Sequence, residues 1–211
     1  MIKSADAKRL DLEIIAELTP EGARVLDVGC GEGELLELLT QRRNARAHGM
    51  EISQAGVNAS VARGLSVVQG DADLDLALYP DDSFDIVVLS RTIQATRRPE
   101  MVLKQMHRIG AKAVVSLPNF GFWQVRLSLF LRGRMPVTQG LPDSWHETEN
   151  LHLCTLLDFD DLAKQSGFDL ESVTRIAAGK ASAPSRATSS LLNWLSEEAV
   201  FVLKRAGMAA R

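Results

Sequence analysis

Apolar residues along this chain follow two alternating spacings. Leu10, Ile14 and Leu18 recur at helical intervals, and a turn at 20–22 follows them. Short runs rich in valine, isoleucine and leucine then alternate with further helical patterns. The predicted strands are Arg24–Val28, Arg46–Ile52, Ser66–Gln69, Phe84–Leu89 and Ala113–Leu117, and the predicted helices between them are Glu34–Arg42, Ser53–Arg63 and Pro99–Arg108. This alternation indicates an α/β fold, a parallel sheet with helices on both faces.

The second half of the chain is less regular. Trp123–Leu131 has the apolar spacing of a helix, and 133–153 has the polar, proline-containing composition of a long loop. Thr155, followed three residues later by Asp158, resembles a capping box that begins another helix. Closing strands are predicted at Phe168–Ile176 and Val200–Lys204, with a short helix at Leu191–Leu195. The chain shows no internal repeat, so we predict one domain over residues 1–211.

Composition and charge narrow the class of protein. The 211 residues are 45% hydrophobic and 24% charged, which is typical of soluble globular proteins. A net charge of −3 gives no electrostatic case for nucleic acid or an anionic membrane as partner. Two cysteines cannot build a disulfide framework, residues 1–6 do not resemble a signal peptide, and no apolar run is long enough to span a membrane. These features favour the cytoplasm.

A glycine-rich loop follows the first predicted strand. Asp27 ends that strand, and Gly29, Gly31 and Gly33 lead into a leucine-rich helix with Cys30 between the first two. Glycine accepts backbone conformations that other residues resist and leaves room for a ligand against bare main chain. The pattern therefore predicts a cofactor site of the nucleotide type, with the backbone of Cys30 facing the ligand.

Other polar residues come directly after neighbouring strands. Parallel α/β sheets bind ligands at the carboxyl ends of their strands, so these residues are candidate contacts. Glu51 is placed to accept hydrogen bonds from both ribose hydroxyls. Asp71, followed by Ala72, is placed to meet an exocyclic amine, with a helix N-cap as the alternative, and Ser90 follows the fourth strand. We expect Asp27 to hydrogen-bond the amides of the glycine loop and so to shape it.

The glycine spacing distinguishes between nucleotide cofactors. A nicotinamide- or flavin-binding loop would have its third glycine where this chain has Glu34, which disfavours a dehydrogenase. The Gly-x-Gly-x-Gly spacing after Asp27 instead resembles motif I of the class I S-adenosylmethionine-dependent methyltransferases. That resemblance implies a Rossmann-like, seven-stranded, mostly parallel sheet whose last strand is antiparallel.

The same resemblance implies S-adenosylmethionine or S-adenosylhomocysteine as the cofactor. Its amino-acid end would meet Gly29–Gly31, and its ribose would meet Glu51. Its adenine would lie near Asp71 and pack on Ile52. No general base stands out, and the residues after the fourth strand lack the Asn-Pro-Pro-Tyr type of motif that grips an amino group. The catalytic residues, if any, are therefore not identified.

A more specific resemblance lies in the second half. The segments that carry it are Ser116–Trp123, Arg132–Thr138, Leu141–Trp145 and Asn150–Thr155. With the glycine loop they closely resemble the MetW family of methionine biosynthesis proteins, from about Leu10 to Ile176. The resemblance implies a bacterial protein that supports or regulates homoserine O-acyltransferase as a cofactor-binding partner. An active methyltransferase acting on an unidentified small molecule is the alternative.

Residues of about 118–155 are candidates for a lid over the site or a surface for the partner. The candidates are Trp123, Arg126, Arg134, Trp145 and His152. Tryptophan and arginine are favoured anchors of protein interfaces, whereas core packing with a snorkelling arginine is the simpler interpretation of the helical ones. The histidines, glutamate and cysteine in 146–154 match no standard zinc spacing, so no metal is expected.

Overall fold

One sheet organises the described part of the chain. The computed structural model describes residues 9–138, 140–148 and 150–207. The strands are β1 (Arg24–Val28), β2 (Arg46–Glu51), β3 (Val67–Gln69), β4 (Phe84–Ser90), β5 (Gly110–Pro118), β6 (Phe168–Ala177), β7 (Lys180–Ala181) and β8 (Glu198–Arg205). Their order across the sheet is β3-β2-β1-β4-β5-β8-β6-β7. The central position of β1 and β4 places the glycine loop at the point where the chain reverses its direction across the sheet.

The helices cover both faces of this sheet. They are α1 (Leu10–Leu18), α2 (Glu34–Arg43), α3 (Gln54–Ala62), α4 (Pro99–Ile109), α5 (Trp123–Arg132), α6 (Leu156–Gln165) and α7 (Ser190–Leu195). Neighbouring residues of β1 belong to different apolar clusters: Val25 shares its cluster with residues of α1 and α2, whereas Leu26 shares its cluster with residues of α4 and α6. Both side chains are fully buried. Burial on both faces explains why these strands are apolar throughout.

The Rossmann-like architecture predicted from the sequence is confirmed. Strands β1 to β5 are mutually parallel, and β8 runs antiparallel between β5 and β6. The prediction of seven strands is one too low, because β7 forms a two-residue hairpin partner of β6. Nothing in so short and exposed a segment marks it as a strand.

Local signals placed the helix ends well. Ser53 caps α3 by accepting from the Gly56 amide, and Thr155 and Asp158 form the complete capping box of α6. α6 ends at Gln165. Such caps satisfy amide groups that a helix leaves unpaired, typically worth about 1 kcal/mol each.

Two predictions reach past the described residues. The proposed single domain includes both chain ends, and residues 1–6, predicted not to form a signal peptide, lie outside the described residues. Among the residues described, no helix is long and apolar enough to cross a membrane.

Candidate functional site

The glycine loop turns sharply between β1 and α2. The amides of Gly29 and Cys30 both donate to the Met50 carbonyl at the end of β2, at 2.7 and 3.1 Å. Gly29 has a φ of +75°, and a Cβ built on it would lie 2.5 Å from Oγ1 of Thr92. The first glycine is therefore required by backbone conformation and by close packing against the segment after β4.

Gly31 is required for a different reason. Its φ is +55°, yet a Cβ built there would meet no atom within 4 Å. The backbone at this position faces open space, while its carbonyl accepts from the Ser60 hydroxyl at 3.1 Å. Gly31 thus presents bare main chain where a ligand can approach.

Glu51 lies beneath the loop. Its Oε2 accepts from the Gly31 amide and its Oε1 from the Ser53 amide, both at 2.8 Å. Its side chain is buried, and a Cβ on Gly56 would lie 2.9 Å from Glu51 Cγ. A carboxylate offers about four acceptor positions, so two stay available to hydroxyl donors of a ligand. Glu51 therefore joins the loop to the start of α3 and keeps hydrogen-bonding capacity in reserve.

Asp27 lies in β1, between β2 and β4, with its side chain buried. It is opposite Gly49 on one side and Val88 on the other, and no described residue donates to its Oδ1. Burial raises the pKa of the Asp27 carboxyl to about 7, against the opposing charge of Arg9. The prediction that Asp27 binds the loop amides is wrong, because the Met50 carbonyl and the Glu51 carboxylate take them.

Cys30 also lies in the loop and is chemically quiet. Burial raises the pKa of its thiol to about 12, and the carboxylates of Asp27 and Glu51 add to this shift. A Cβ on Gly49 would lie 2.6 Å from its sulfur, so the side chain packs against β2. Cys30 therefore contributes its backbone to the loop and a neutral side chain to the core.

Asp71 begins a tight turn after β3. Its Oδ1 accepts from the Asp73 amide at 2.9 Å, and its own amide donates to Asp75 Oδ2 at 2.7 Å. The capping alternative predicts this local hydrogen bonding for one carboxylate oxygen of Asp71, and the second oxygen stays available. Ala72 packs against the larger core cluster, whereas Ile52, directly after β2, is 63% exposed. The carboxyl edge of the sheet therefore offers one free carboxylate oxygen, from Asp71, and one exposed apolar surface, from Ile52.

Ser90 belongs to a buried polar network that the sequence did not reveal. Its hydroxyl accepts from Arg9 at 3.1 Å, and the same guanidinium binds Asp11 through two hydrogen bonds. Ser116 donates to Asp11 at 2.9 Å, and Arg91 binds Asp11 from 3.8 Å. Burial by itself would raise the pKa of Asp11, but the bonds and charges of these partners hold it below its ordinary value. The signal available in the sequence was an acid beside Leu12 on the apolar face of α1.

Three of the five lid or partner candidates lie beside α5 and the loop that follows it. In α5 only Val125 is buried, so the helix is not packed into the core. Trp123 and Arg134 line a groove of about 670 Å³ between α5 and the following loop, and Trp145 lines a second cavity of about 250 Å³. The structure thus brings three of the candidates to neighbouring hollows.

The remaining two candidates connect this surface to other elements. Arg126 donates to the Gly121 carbonyl at 2.6 Å, and its guanidinium lies 5.2 Å from the ring centre of Trp194. The backbone amide of His152 donates to the Gln94 carbonyl at 3.0 Å. Gln94 follows Thr92, which packs on Gly29, so the loop is tied to the segment that borders the glycine loop. Within 9–138, 140–148 and 150–207, no three His, Cys, Asp or Glu side chains could hold a metal ion.

Comparison with solved structures shows the same fold in several methyltransferases. An S-adenosylmethionine-dependent methyltransferase from Mesorhizobium loti has a TM-score of 0.67 and 18% identity, covering 95% of this chain and 99% of its own. One from Thermotoga maritima has a TM-score of 0.66 and 18% identity, covering 93% and 89%. The [4+2]-cyclase SpnF has a TM-score of 0.67 and 15% identity, covering 96% and 85%. The fold therefore accompanies more than one chemistry.

Sequence comparison identifies the family. The chain is 36% identical over 165 residues to the bifunctional methionine biosynthesis protein MetXA/MetW of Rhodopirellula baltica, covering 74% of this chain and 26% of that protein. It is 35% identical over 99 residues to a fatty-acid O-methyltransferase of Mycolicibacterium smegmatis, covering 44% and 35%. The chain thus spans about a quarter and a third of the lengths of these relatives. The family model described as methionine biosynthesis protein MetW matches residues 9–203. The chain therefore belongs to the MetW family of methionine biosynthesis proteins.

Proposed function

We propose that this chain binds S-adenosylmethionine or S-adenosylhomocysteine and, as a partner subunit, supports or regulates a homoserine O-acyltransferase of the MetX type. The observation that carries the proposal is the relative that joins MetXA and MetW in one chain. Covalent fusion of two activities in one organism favours their association as separate chains in another. We place the pair in the cytoplasm, in keeping with the free thiols of Cys30 and Cys154.

The residues at the carboxyl ends of the strands fit such a ligand in their donor and acceptor chemistry. The open backbone at Gly29–Gly31 would hold the amino-acid end, and the spare acceptor positions of Glu51 would take the ribose hydroxyls. Ile52 offers an exposed apolar surface for adenine, with the free oxygen of Asp71 near its amine. Ala72 and Ser90 border the same edge. When bound, S-adenosylmethionine supplies a methyl group on a positively charged sulfur.

The orphan carboxyl of Asp27 supports a cationic ligand in particular. It is buried under the loop, its Oδ1 has no partner, and its pKa is raised to about 7 by burial. A positive charge brought near such a group lowers its pKa and stabilises the ionised form. A neutral or anionic ligand would give no such compensation. This chemistry favours S-adenosylmethionine over a dinucleotide.

Calorimetric titration of the cofactor tests the site. Glu51→Gln keeps one carbonyl acceptor but loses the charge, so its affinity for S-adenosylmethionine should fall by about 1.5–3 kcal/mol, roughly 10- to 150-fold. Glu32→Gln is the matched control, since Glu32 is an exposed carboxylate in the same loop. Thermal melting of both variants checks the fold. Equal affinity of wild type and Glu51→Gln would remove Glu51 from the site.

The regulatory half of the proposal requires thermodynamic linkage. If the ligand changes the affinity of this chain for the acyltransferase, the acyltransferase must change the affinity for the ligand by the same factor. Titration of each component in the presence and absence of the other measures both factors, and the rate of acyl transfer measures the functional effect. Unchanged affinities in both directions would exclude sensing and leave a constitutive complex.

An active methyltransferase is the second candidate. It is supported by the 35% identity over 99 residues with a fatty-acid O-methyltransferase. Incubation of cofactor-saturated protein with small carboxylate acceptors, with S-adenosylhomocysteine measured by mass spectrometry, tests it. Turnover that depends on Glu51 would establish the activity. If the wild type forms S-adenosylhomocysteine no faster than Glu51→Gln with any acceptor of the series, methyltransferase activity on these acceptors is excluded.

A further inference from the structure

Arg9 brings a positive charge to the edge of the sheet where the glycine loop lies. It directly precedes α1, and its Nη2 donates to the Ser90 hydroxyl at 3.1 Å, at the end of β4. β4 pairs with β1, whose carboxyl end leads into the glycine loop. Burial raises the pKa of Asp27 in β1, and the charge of Arg9 opposes this shift. The guanidinium therefore lies within electrostatic reach of the floor of the proposed ligand site.

A small hollow also places Arg9 beside the start of α2. Arg9 and Glu34 both line this hollow, which has a volume of about 240 Å³. Glu34 is the first residue of α2 and directly follows Gly33 of the glycine loop. Arg9 is thus flanked by the end of β4 and the start of α2, next to the part of the site proposed for the amino-acid end of the cofactor.

The guanidinium is held in place by the protein itself. Its Nε and Nη2 donate to the two carboxylate oxygens of Asp11, at 2.9 and 2.8 Å. Asp11 is fully buried and accepts a further hydrogen bond from Ser116 at 2.9 Å. Because the Arg9 side chain is already ordered in this way, a ligand that binds it loses little further free energy to ordering.

One nitrogen of the guanidinium stays available. Arginine has five N–H donors, and three of those in Arg9 serve Asp11 and Ser90. The other two are on Nη1, from which no described residue accepts a hydrogen bond, and 34% of the side chain is exposed. Arg91, the other arginine of this network, turns instead to Glu198 in β8, to which its Nε donates at 2.7 Å. Arg9 can therefore bind one more carboxylate through Nη1.

The first three amides of the glycine loop are not free to receive a carboxylate. The amides of Gly29 and Cys30 both donate to the Met50 carbonyl. The Gly31 amide donates to the carboxylate of Glu51. A ligand carboxylate at this end of the site therefore needs a donor from another element. A guanidinium is well suited, because its hydrogen bonds to carboxylates are charge-assisted and stronger than those of neutral donors.

We propose that Arg9 binds the carboxylate at the amino-acid end of the cofactor and so selects ligands that carry this group. The inference rests on the proposed function for the identity of the ligand, and it adds the residue that recognises the amino-acid end. Together with Asp27 beneath the loop, Arg9 gives the site one group for each sign of charge in a zwitterionic ligand.

A pair of ligands isolates the contribution of the carboxylate. S-adenosylhomocysteine carries this group, and S-adenosyl-3-thiopropylamine is the same molecule with a hydrogen atom in its place. In calorimetric titrations the wild-type chain should bind S-adenosylhomocysteine more tightly by roughly 10- to 150-fold, the range for a hydrogen bond to a charged group. In Arg9→Gln this preference should disappear, because only the affinity for S-adenosylhomocysteine falls.

Arg24→Gln is the matched control. Arg24 is also an arginine in an ion pair, with Asp85, but it lies at the opposite end of β1, so this variant should keep the wild-type preference. Arg9→Gln leaves the buried Asp11 with one partner fewer, so thermal melting of each variant checks the fold. If Arg9→Gln does not fold, the double variant Arg9→Gln/Asp11→Asn removes both charges of the pair and should show the same loss of preference.

The remaining outcomes overturn the inference in different ways. A preference that survives in the folded Arg9 variant refutes Arg9 as the ligand of the carboxylate and assigns this group to other donors, such as the amides at the start of α2. An equal loss of affinity for both ligands, or a wild type that binds both equally, refutes recognition of the carboxylate and leaves the cofactor site intact. Failure of the wild type to bind either ligand refutes the proposed cofactor site together with this inference.

Discussion

Replacing Asp27 with asparagine isolates the energetic consequence of its burial. Asp27 is 1% exposed, and burial raises its pKa from 3.8 to about 7. The folded state therefore binds this proton more tightly than the unfolded state, so the proton stabilises the fold at low pH. That contribution is complete below the unfolded pKa and is lost as the pH rises towards 7.

The magnitude follows from the width of this window. Each pKa unit is worth about 1.36 kcal/mol, so the wild type should lose about 2.3 kcal/mol relative to Asp27→Asn between pH 5 and pH 7, where Asp27 is half protonated, and about 2.6 kcal/mol by pH 8. Above about pH 8 the difference should stay constant. Burial of the asparagine amide also changes the free energy of unfolding, but this change is independent of pH in this range. It therefore cancels when the pH dependence of the two free energies of unfolding is compared.

Urea unfolding of both proteins at several pH values from 5 to 8 measures the difference. Asp85→Asn is the matched control, because hydrogen bonds from Arg24 hold the pKa of Asp85 below 3.8 and its charge does not act on Asp27. It does not titrate in this window, so its difference from wild type should be flat. A flat difference for Asp27→Asn as well would refute the reasoning, since it would mean that Asp27 is ionised in the fold at pH 5.

Three further results are expected. Gly29→Ala should lose both stability and cofactor binding, because its Cβ would lie 2.5 Å from Oγ1 of Thr92. Gly31→Ala meets no atom within 4 Å, so only the strain of its positive φ, about 1–2 kcal/mol, should lower its stability, while parallel titrations should show loss of cofactor binding. The affinity for S-adenosylmethionine should rise with pH up to about 7 more steeply than the affinity for S-adenosylhomocysteine, because only the former has a sulfonium charge that favours ionised Asp27. Calorimetry in buffers of different ionisation enthalpy would count the released proton. Equal pH slopes for the two ligands would contradict the prediction. Thr155→Ala should destabilise the protein by about 1 kcal/mol in urea through loss of the α6 capping box, and an unchanged midpoint would argue against that cap.

Much of the fold was predictable because its signals are local. The apolar run that ends at Leu89, the cap at Ser53 and the box at Thr155 each act within a few residues, and the structure has them where the sequence indicates. The antiparallel last strand followed from resemblance to a known fold. By contrast, β7 is two residues long and is defined only by its pairing with β6.

The polar network around Asp11 was not predictable for a different reason. Its hydrogen bond with Ser116 joins residues 105 positions apart, and the bond between Arg91 and Glu198 joins residues 107 apart. Such pairs have no periodic signature. The hydrogen bonding of Asp27 was mispredicted because an acid at a strand end suggests an acceptor for the loop amides. In the structure these amides donate to Met50 and Glu51, which belong to the next strand.

The buried thiol of Cys30 has a consequence for the survival of the protein itself. A thiolate is a strong nucleophile, and one placed against a methyl sulfonium would take its methyl group. The S–CH₃ bond of the ligand would break, S-adenosylhomocysteine would leave, and the cysteine would stay S-methylated. With a pKa of about 12, only about one thiol in 10⁵ is ionised at pH 7. Burial thus protects the chain against alkylation by the ligand that we propose it holds.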